Sequence, residues 1–321
     1  MVQALLVLAA RHAKPLLIAG LAAGVLLPGL AGAIAAQLPL AAAGLLALAA
    51  LRIGPRSALG LGGGLRFSLG AVAVLQMALP LVVAGVLLGF GWTGPLATAL
   101  VLMAAGAPIS STPNLTIMSD GDPAPALRMV ILGTAALPLT LVPALWLWPA
   151  FGDFTAVMAA AGRTIGVLAV SVGFGFGLRA WLFPDPTPRQ LAAIDGFSAL
   201  AMALAVTGLM TALRPALMET PMLALWVMVA AFASNFGLQI ATAFALRGRS
   251  DATGLAIGAG NRSLLLFLAV LPASFTAPLL LFVACYQVPM YLTPILLGRF
   301  YRYRISLPRR PAAPGGGGGG G

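Results

Sequence analysis

The sequence is short of charge. Only 8% of its 321 residues are Asp, Glu, Lys or Arg, while 60% are hydrophobic. A soluble protein cannot cover that much apolar surface with so few charges, so the bilayer must be the solvent. Acidic residues are the scarcest, seven against 18 basic ones. That leaves almost no acid or base for an intramembrane reaction. The single Cys285 forbids an internal disulfide and reads as a small packing residue. The single His12, near the terminus, has no metal role. No phosphate-binding glycine loop is present, which argues against ATP as the power source, and neither HExxH nor a Ser/His/Asp set occurs. The start, "MVQALLVLAARHAKP", has no basic region ahead of its apolar stretch. It therefore reads as mature chain rather than a cleavable signal.

The net charge of +11 does not point to nucleic acid. The basic residues stand singly or in pairs between apolar runs, the pattern of cytoplasmic loops in a membrane protein. The runs are long rather than alternating, which favours spanning helices over a barrel. Ten segments can be drawn: about 15–34, 37–52, 66–92, 94–118 with a break, 124–150, 155–182, 188–213, 220–246, 252–273 with a break, and 276–300. With ten spans, Arg11, Lys14, Arg52, Arg56, Arg66, Arg128, Arg179, Arg189, Arg247, Arg249, Arg299, Arg302, Arg304, Arg309 and Arg310 all fall on one side, and only Arg163 and Arg214 on the other. The positive-inside rule then places both termini in the cytoplasm of a multi-pass protein of the cell's inner (plasma) membrane. The tail "PAAPGGGGGGG" is low-complexity and reads as disordered.

The expected fold is all-α and polytopic, ten transmembrane helices as two inverted five-helix repeats. Residues 1–14 form an N-terminal cytoplasmic segment, 15–150 the first repeat, 151–303 the second, and 304–321 the tail. Five helices duplicated in sequence must insert with opposite topology. Segments four and nine are then equivalent, and both are interrupted by polar and helix-breaking residues. "AAGAPISSTPN" (104–114) carries Pro108, Ser110, Ser111, Thr112, Pro113 and Asn114. "GLAIGAGNRSLL" (254–265) carries Gly258, Gly260, Asn261, Arg262 and Ser263. Paired interruptions of this kind point to a transport site, because a broken helix offers free backbone groups and half-helix ends near the midplane. The plainer alternative is two kinks packed by small residues. Unwinding is expected at about 107–113 and 258–262.

These motifs resemble the bile acid:sodium symporter family, within the wider group that includes arsenite carriers. "APISSTPNLTIMSDGD" resembles the family's fourth-span crossover and "LAIGAGNRSL" its ninth. "VLQMALP", with Gln76 and Pro80, resembles its third span, and "LPLTLVPALW" its Pro-rich fifth. The resemblance implies a panel domain (spans one, two, six, seven) and a core domain in which broken helices four and nine cross. It also implies organic-anion substrates and two sodium ions. By the same resemblance Asn114 and Gln76 match sodium ligands, Asn261 faces substrate, and Ser111 lies near it. Other ligand positions depart: the hydroxyls are replaced by Leu127 and Ile131, a serine by Pro113, the shared carboxylate by Ala256, and a glutamine by Gly260. None of these replacements supplies a side-chain oxygen, so the sequence argues against sodium coupling of the usual kind.

An arginine inside a membrane is a functional residue by default. Arg262, mid-span, either holds a substrate carboxylate or braces the crossover; Arg128 reads as pairing with Asp120 or Asp122, or as reaching the surface. Asn235 and Gln239 lie one turn apart on span eight, and Tyr286 and Gln287 fall in span ten; each pair lines a cavity or bridges helices. The substrate-binding set is thus Ser110, Ser111, Thr112, Asn114, Asn235, Asn261, Arg262, Ser263, Tyr286 and Gln287, with Gln76 and Asn114 for sodium if it is used. The expected function is alternating-access transport of a small organic anion, with no cofactor and no nucleic acid. Sodium coupling through other ligands, a transporter-like sensor and an intramembrane enzyme are the alternatives.

Overall fold

A computed structural model describes residues 2–55, 64–151 and 154–302. Arg56, Arg304, Arg309, Arg310 and the tail 304–321 lie outside them. The described residues are helical, with one isolated backbone bridge between Pro108 and Arg262. Six helices are long and apolar enough to cross a membrane, and up to eight if each of two bent pairs counts as one span. The chain is therefore a membrane protein built of helices. Side chains such as Val82, Val170, Phe174 and Trp226 stand exposed on them, as lipid-facing residues do.

In chain order the elements are α1 (Val2–Arg11), α2 (Ala13–Leu26), α3 (Pro28–Ala35), α4 (Leu38–Ile53), α5 (Leu65–Gly89), α6 (Pro95–Ala105), α7 (Thr112–Ile117), α8 (Pro123–Leu147), α9 (Phe154–Leu182), α10 (Pro188–Glu219), α11 (Pro221–Ala245), α12 (Ala252–Gly260), α13 (Leu265–Val270) and α14 (Ala277–Leu296). Prolines sit in the first turn of α3, α4, α6, α7, α8 and α11. There a missing N–H costs no helix bond. Thr187 opens α10 through a capping box with Gln190, and the Asp122 carboxylate accepts from Ala124 N–H to open α8 (2.9 Å).

Two features depart from the sequence reading. The segment 15–34 is two helices meeting at Leu27, because Pro28 cannot continue α2. Residues 2–11, read only as a cytoplasmic segment, form α1, which packs on α10. Gly196 permits that contact: a Cβ there would strike the Leu6 carbonyl.

The helices associate in two groups. In one, α1, α2, α3 and α4 pack on α10, and α4 also packs on α9. Small residues set the spacing, since a Cβ on Gly175 would lie 2.3 Å from Ala47 O. Thr207 donates to Gly20 O (3.1 Å). At one end Arg52 pairs with Asp195 (2.7 Å), and Arg179 donates to Leu51 O (3.1 Å) at the end of α4. In the other group α8 packs on α5, α7 and α12, while α11 packs on α12 and α14. Trp148, fully buried, donates its indole N–H to Thr98 Oγ1 (2.9 Å) and ties the end of α8 to α6.

Candidate functional site

The two interruptions fall where the sequence breaks its helices, and they cross. Segment 106–111 separates α6 from α7, and segment 261–264 separates α12 from α13. They run antiparallel: Ile109 N–H donates to Asn261 O (3.0 Å), and Ser263 N–H donates to Ala107 O (2.7 Å). Buried non-helical backbone has no water to turn to, so each segment supplies bonds to the other. The second break starts later than expected. Helix α12 continues through Gly258 and Gly260 and ends at Asn261. Those glycines serve close packing instead. A Cβ on Gly260 would lie 2.3 Å from Asn235 O and 2.4 Å from Gln239 Cγ.

Arg262 is 1% exposed and makes three hydrogen bonds, all to backbone carbonyls. Nε donates to Ala259 O (2.6 Å), Nη1 to Gly106 O (2.9 Å) and Nη2 to Leu75 O (3.0 Å). Each acceptor is a carbonyl at a helix end or a helix defect. Ala259 closes α12, and Gly106 follows α6. Leu75 lies in a π turn over Ala73–Ala78, where Leu79 N–H bonds Val74 O. The next donor in that register would come from Pro80, which has none. Leu75 O is thus left for Arg262. These contacts are those of a brace for the crossover.

A buried amide network flanks the crossing. Asn235 Nδ2 donates to Gly260 O (2.6 Å) and to Asn261 Oδ1 (3.3 Å). Gln239 Nε2 donates to Asn235 Oδ1 (2.6 Å) and Thr293 Oγ1 (2.9 Å), and the Tyr301 hydroxyl donates to Gln239 Oε1 (2.9 Å). The Tyr286 hydroxyl also donates to Gly260 O. Asn261 Nδ2 turns back to Ile257 O (2.8 Å). Thr293 and Tyr301 were missed by the sequence reading; the only signal was an aromatic pair in "RFYRYR" after the last apolar run.

A cavity of about 650 Å³ lies against the crossing, lined by α4, α8, α9, α10 and α14 together with residues 107–110 and 262–266. Most of its wall is apolar, and Ser110, Thr134, Arg262, Ser263 and Gln287 are the polar side chains on it. Ser110, Arg262, Ser263 and Gln287 are thus gathered at the cavity. Asn235, Asn261 and Tyr286 stand outside its wall, committed to the network. Thr112 donates to Ile109 O (2.6 Å) at the start of α7, and the buried Ser111 Oγ has no partner. Asn114 is exposed on α7. Gln76 is 1% exposed and donates to Gly133 O (2.8 Å) and Thr140 Oγ1 (3.0 Å). The pair expected at sodium is therefore split between a buried amide and an open one. Ile131 lines the cavity without an oxygen, and Ala256 is fully buried.

Among the described residues, no acidic side chain bonds to the crossing segments. Asp251 accepts twice from Arg249 (2.9 and 3.0 Å), which raises that guanidinium's pKa above its ordinary value. Arg302 reaches Asp120 (3.5 Å), and Arg128 donates to Ser68 Oγ (3.3 Å) rather than to Asp120 or Asp122. Among the described residues no cluster of His, Cys, Asp or Glu suits a metal ion. No protein-family model matches the chain, and no curated protein matches it.

Proposed function

We propose that this chain is a secondary transporter that moves small organic anions by alternating access, of the bile acid:sodium symporter type but independent of sodium. The observation that carries the reading is the crossing itself. Two interrupted helices pair through unwound backbone beside an apolar cavity that has Arg262 among its lining residues, which supports reading them as equivalent members of two five-segment repeats. Ten spans then result, with α6/α7 and α12/α13 as the broken fourth and ninth. The group built on α10 and α9 is the panel, and the group around the crossing is the core. The excess of basic residues between the apolar runs supports a cytoplasmic position for both termini.

The cavity wall suits a substrate with an apolar body and one anionic end. Its volume lies within the range of small-molecule sites. Anion binding is favoured by the Arg262 charge at low dielectric, even though its nitrogens already hold carbonyls. Sodium coupling has one observation in its favour: Gln76 Oε1 is buried and receives no donor from the described residues. A panel of small carboxylates, tested for thermal stabilisation of the purified protein in sodium or choline chloride, decides between the readings. Stabilisation that is equal in both salts supports a sodium-independent carrier. Stabilisation in sodium alone supports the symporter, and none with any anion sinks the anion reading. Cysteines placed at Arg189 and Thr93 should label from opposite sides of the membrane.

A further inference from the structure

The contacts of Arg262 define a site as well as a brace. Three helix pieces aim carbonyls at one point: the end of α12 through Ala259 O, the end of α6 through Gly106 O, and the proline-made gap in α5 through Leu75 O. The C-terminal ends of helices carry partial negative charge, and two such ends meet here. Bringing them together in a buried place is unfavourable unless donors join them, and a charged donor joins them most strongly. No acidic residue competes for that donor. The seven acidic residues of the chain are Asp120, Asp122, Asp153, Asp185, Asp195, Glu219 and Asp251, none within the crossing segments. The hydrogen-bond partners of the guanidinium are the three backbone carbonyls alone.

We infer that the meeting of these three helix pieces is a monovalent-cation site that the chain fills with its own side chain. Its ligand class is a planar guanidinium, because the three acceptors are served by three different nitrogens of one flat group. A charge held by a covalent tether cannot dissociate, so the crossing stays closed whatever salt surrounds the protein. Taken with the transport reading, on which this step rests, no free cation has to enter before the anion binds, and a turnover carries the anion's charge alone.

Removing the tether should uncover the site. The full-length protein is purified in detergent and its thermal unfolding followed in choline chloride, with millimolar guanidinium chloride or urea added. Urea has nearly the same shape and no charge. Wild type should respond to neither. Arg262→Ala should melt several degrees lower and regain part of that loss in guanidinium, saturably, but not in urea. Equal recovery in urea, recovery in neither, or a wild-type midpoint in Arg262→Ala would each overturn the inference. If Arg262→Ala cannot be purified, Arg262→Lys and Arg262→Gln carry the test. Lysine keeps the charge and glutamine keeps only donors, so lysine must be the more stable; glutamine equal to or above lysine overturns the inference. None of these readouts involves substrate, so a chain that fails to transport leaves them unchanged.

Discussion

The two crossing segments reach the same geometry by different means. Segment 106–111 contains Pro108, and Pro113 follows in the first turn of α7. Pro108 lacks an N–H and pushes Ala107 away from helical dihedrals, so the helix must stop there, and the side chain that caps it is Arg262, at Gly106 O. Segment 261–264 contains no proline. Its break is held from outside: Asn235 and Tyr286 take Gly260 O, Asn261 takes Ile257 O, and Arg262 takes Ala259 O. A helix that could continue is kept from doing so by donors that use up its last carbonyls. The lesson is that the first break is local to its sequence, while the second belongs to the packing of α11, α12 and α14.

The comparison breaks most readily at the glycines. A Cβ on Gly260 would overlap the backbone of α11, whereas one on Gly106 would meet its nearest atoms at 3.4–3.5 Å. Gly260→Ala should therefore cost about 3 kcal/mol, because two backbones must move apart. Gly106→Ala should be nearly neutral, since Gly106 has ordinary extended dihedrals (φ −62°, ψ 148°). Thermal unfolding of the two variants side by side measures the contrast. Equal losses would mean that the second break depends on packing no more than the first.

A smaller effect sharpens the same point. Gly260 O accepts from both Asn235 and Tyr286. Asn235→Ala or Tyr286→Phe alone leaves it one donor, and each should cost about 1 kcal/mol. The double variant orphans a buried carbonyl and should cost more than the sum. Strict additivity in a double-mutant cycle would show that the two donors do not share a task.

The difference between the segments also explains what was legible in the sequence. The first break could be read because proline acts locally, although Thr112 and Pro113 turned out to start α7 rather than extend the gap. The second was misplaced by three residues, because Gly258 and Gly260 suggest breakage, whereas they serve contact with neighbouring helices. No one-dimensional pattern tells those uses apart. The π turn at Ala73–Ala78 was hidden for the same reason. Pro80 announces a lost donor, but only the fold shows that Arg262, far along the chain, takes the freed carbonyl. Asn235, Asn261 and Tyr286 were visible as polar residues in apolar helices; their commitment to the crossing rather than to the cavity depends on which way each helix is turned.

Replacing the proline itself tests how local the first break is. Pro108→Ala restores an N–H, yet Ile109 N–H and Ala107 O remain paired with Asn261 O and Ser263 N–H across the crossing. The strand should persist, with a loss of up to about 1 kcal/mol that arises mainly from the freer unfolded chain. A larger loss would mean that proline alone keeps the segment extended.

The smallest effect is expected two residues on. Ser110 is exposed, lines the cavity, and has no hydrogen bond within the crossing. Ser110→Ala should leave thermal stability within about 0.5 kcal/mol of wild type, because no buried partner is orphaned. Its effect should appear only with ligand. If the anionic end of the substrate rests at the crossing, losing one donor there should weaken binding by roughly 1 kcal/mol, about fivefold in affinity. Thr112→Val is the control. Thr112 is buried and spends its hydroxyl on Ile109 O, so its loss should lower stability without altering the ligand-induced shift per unit of ligand. If Ser110→Ala lowers stability and Thr112→Val lowers ligand response, the roles are reversed. The cavity face of the first crossing segment would then have been assigned to the wrong residues.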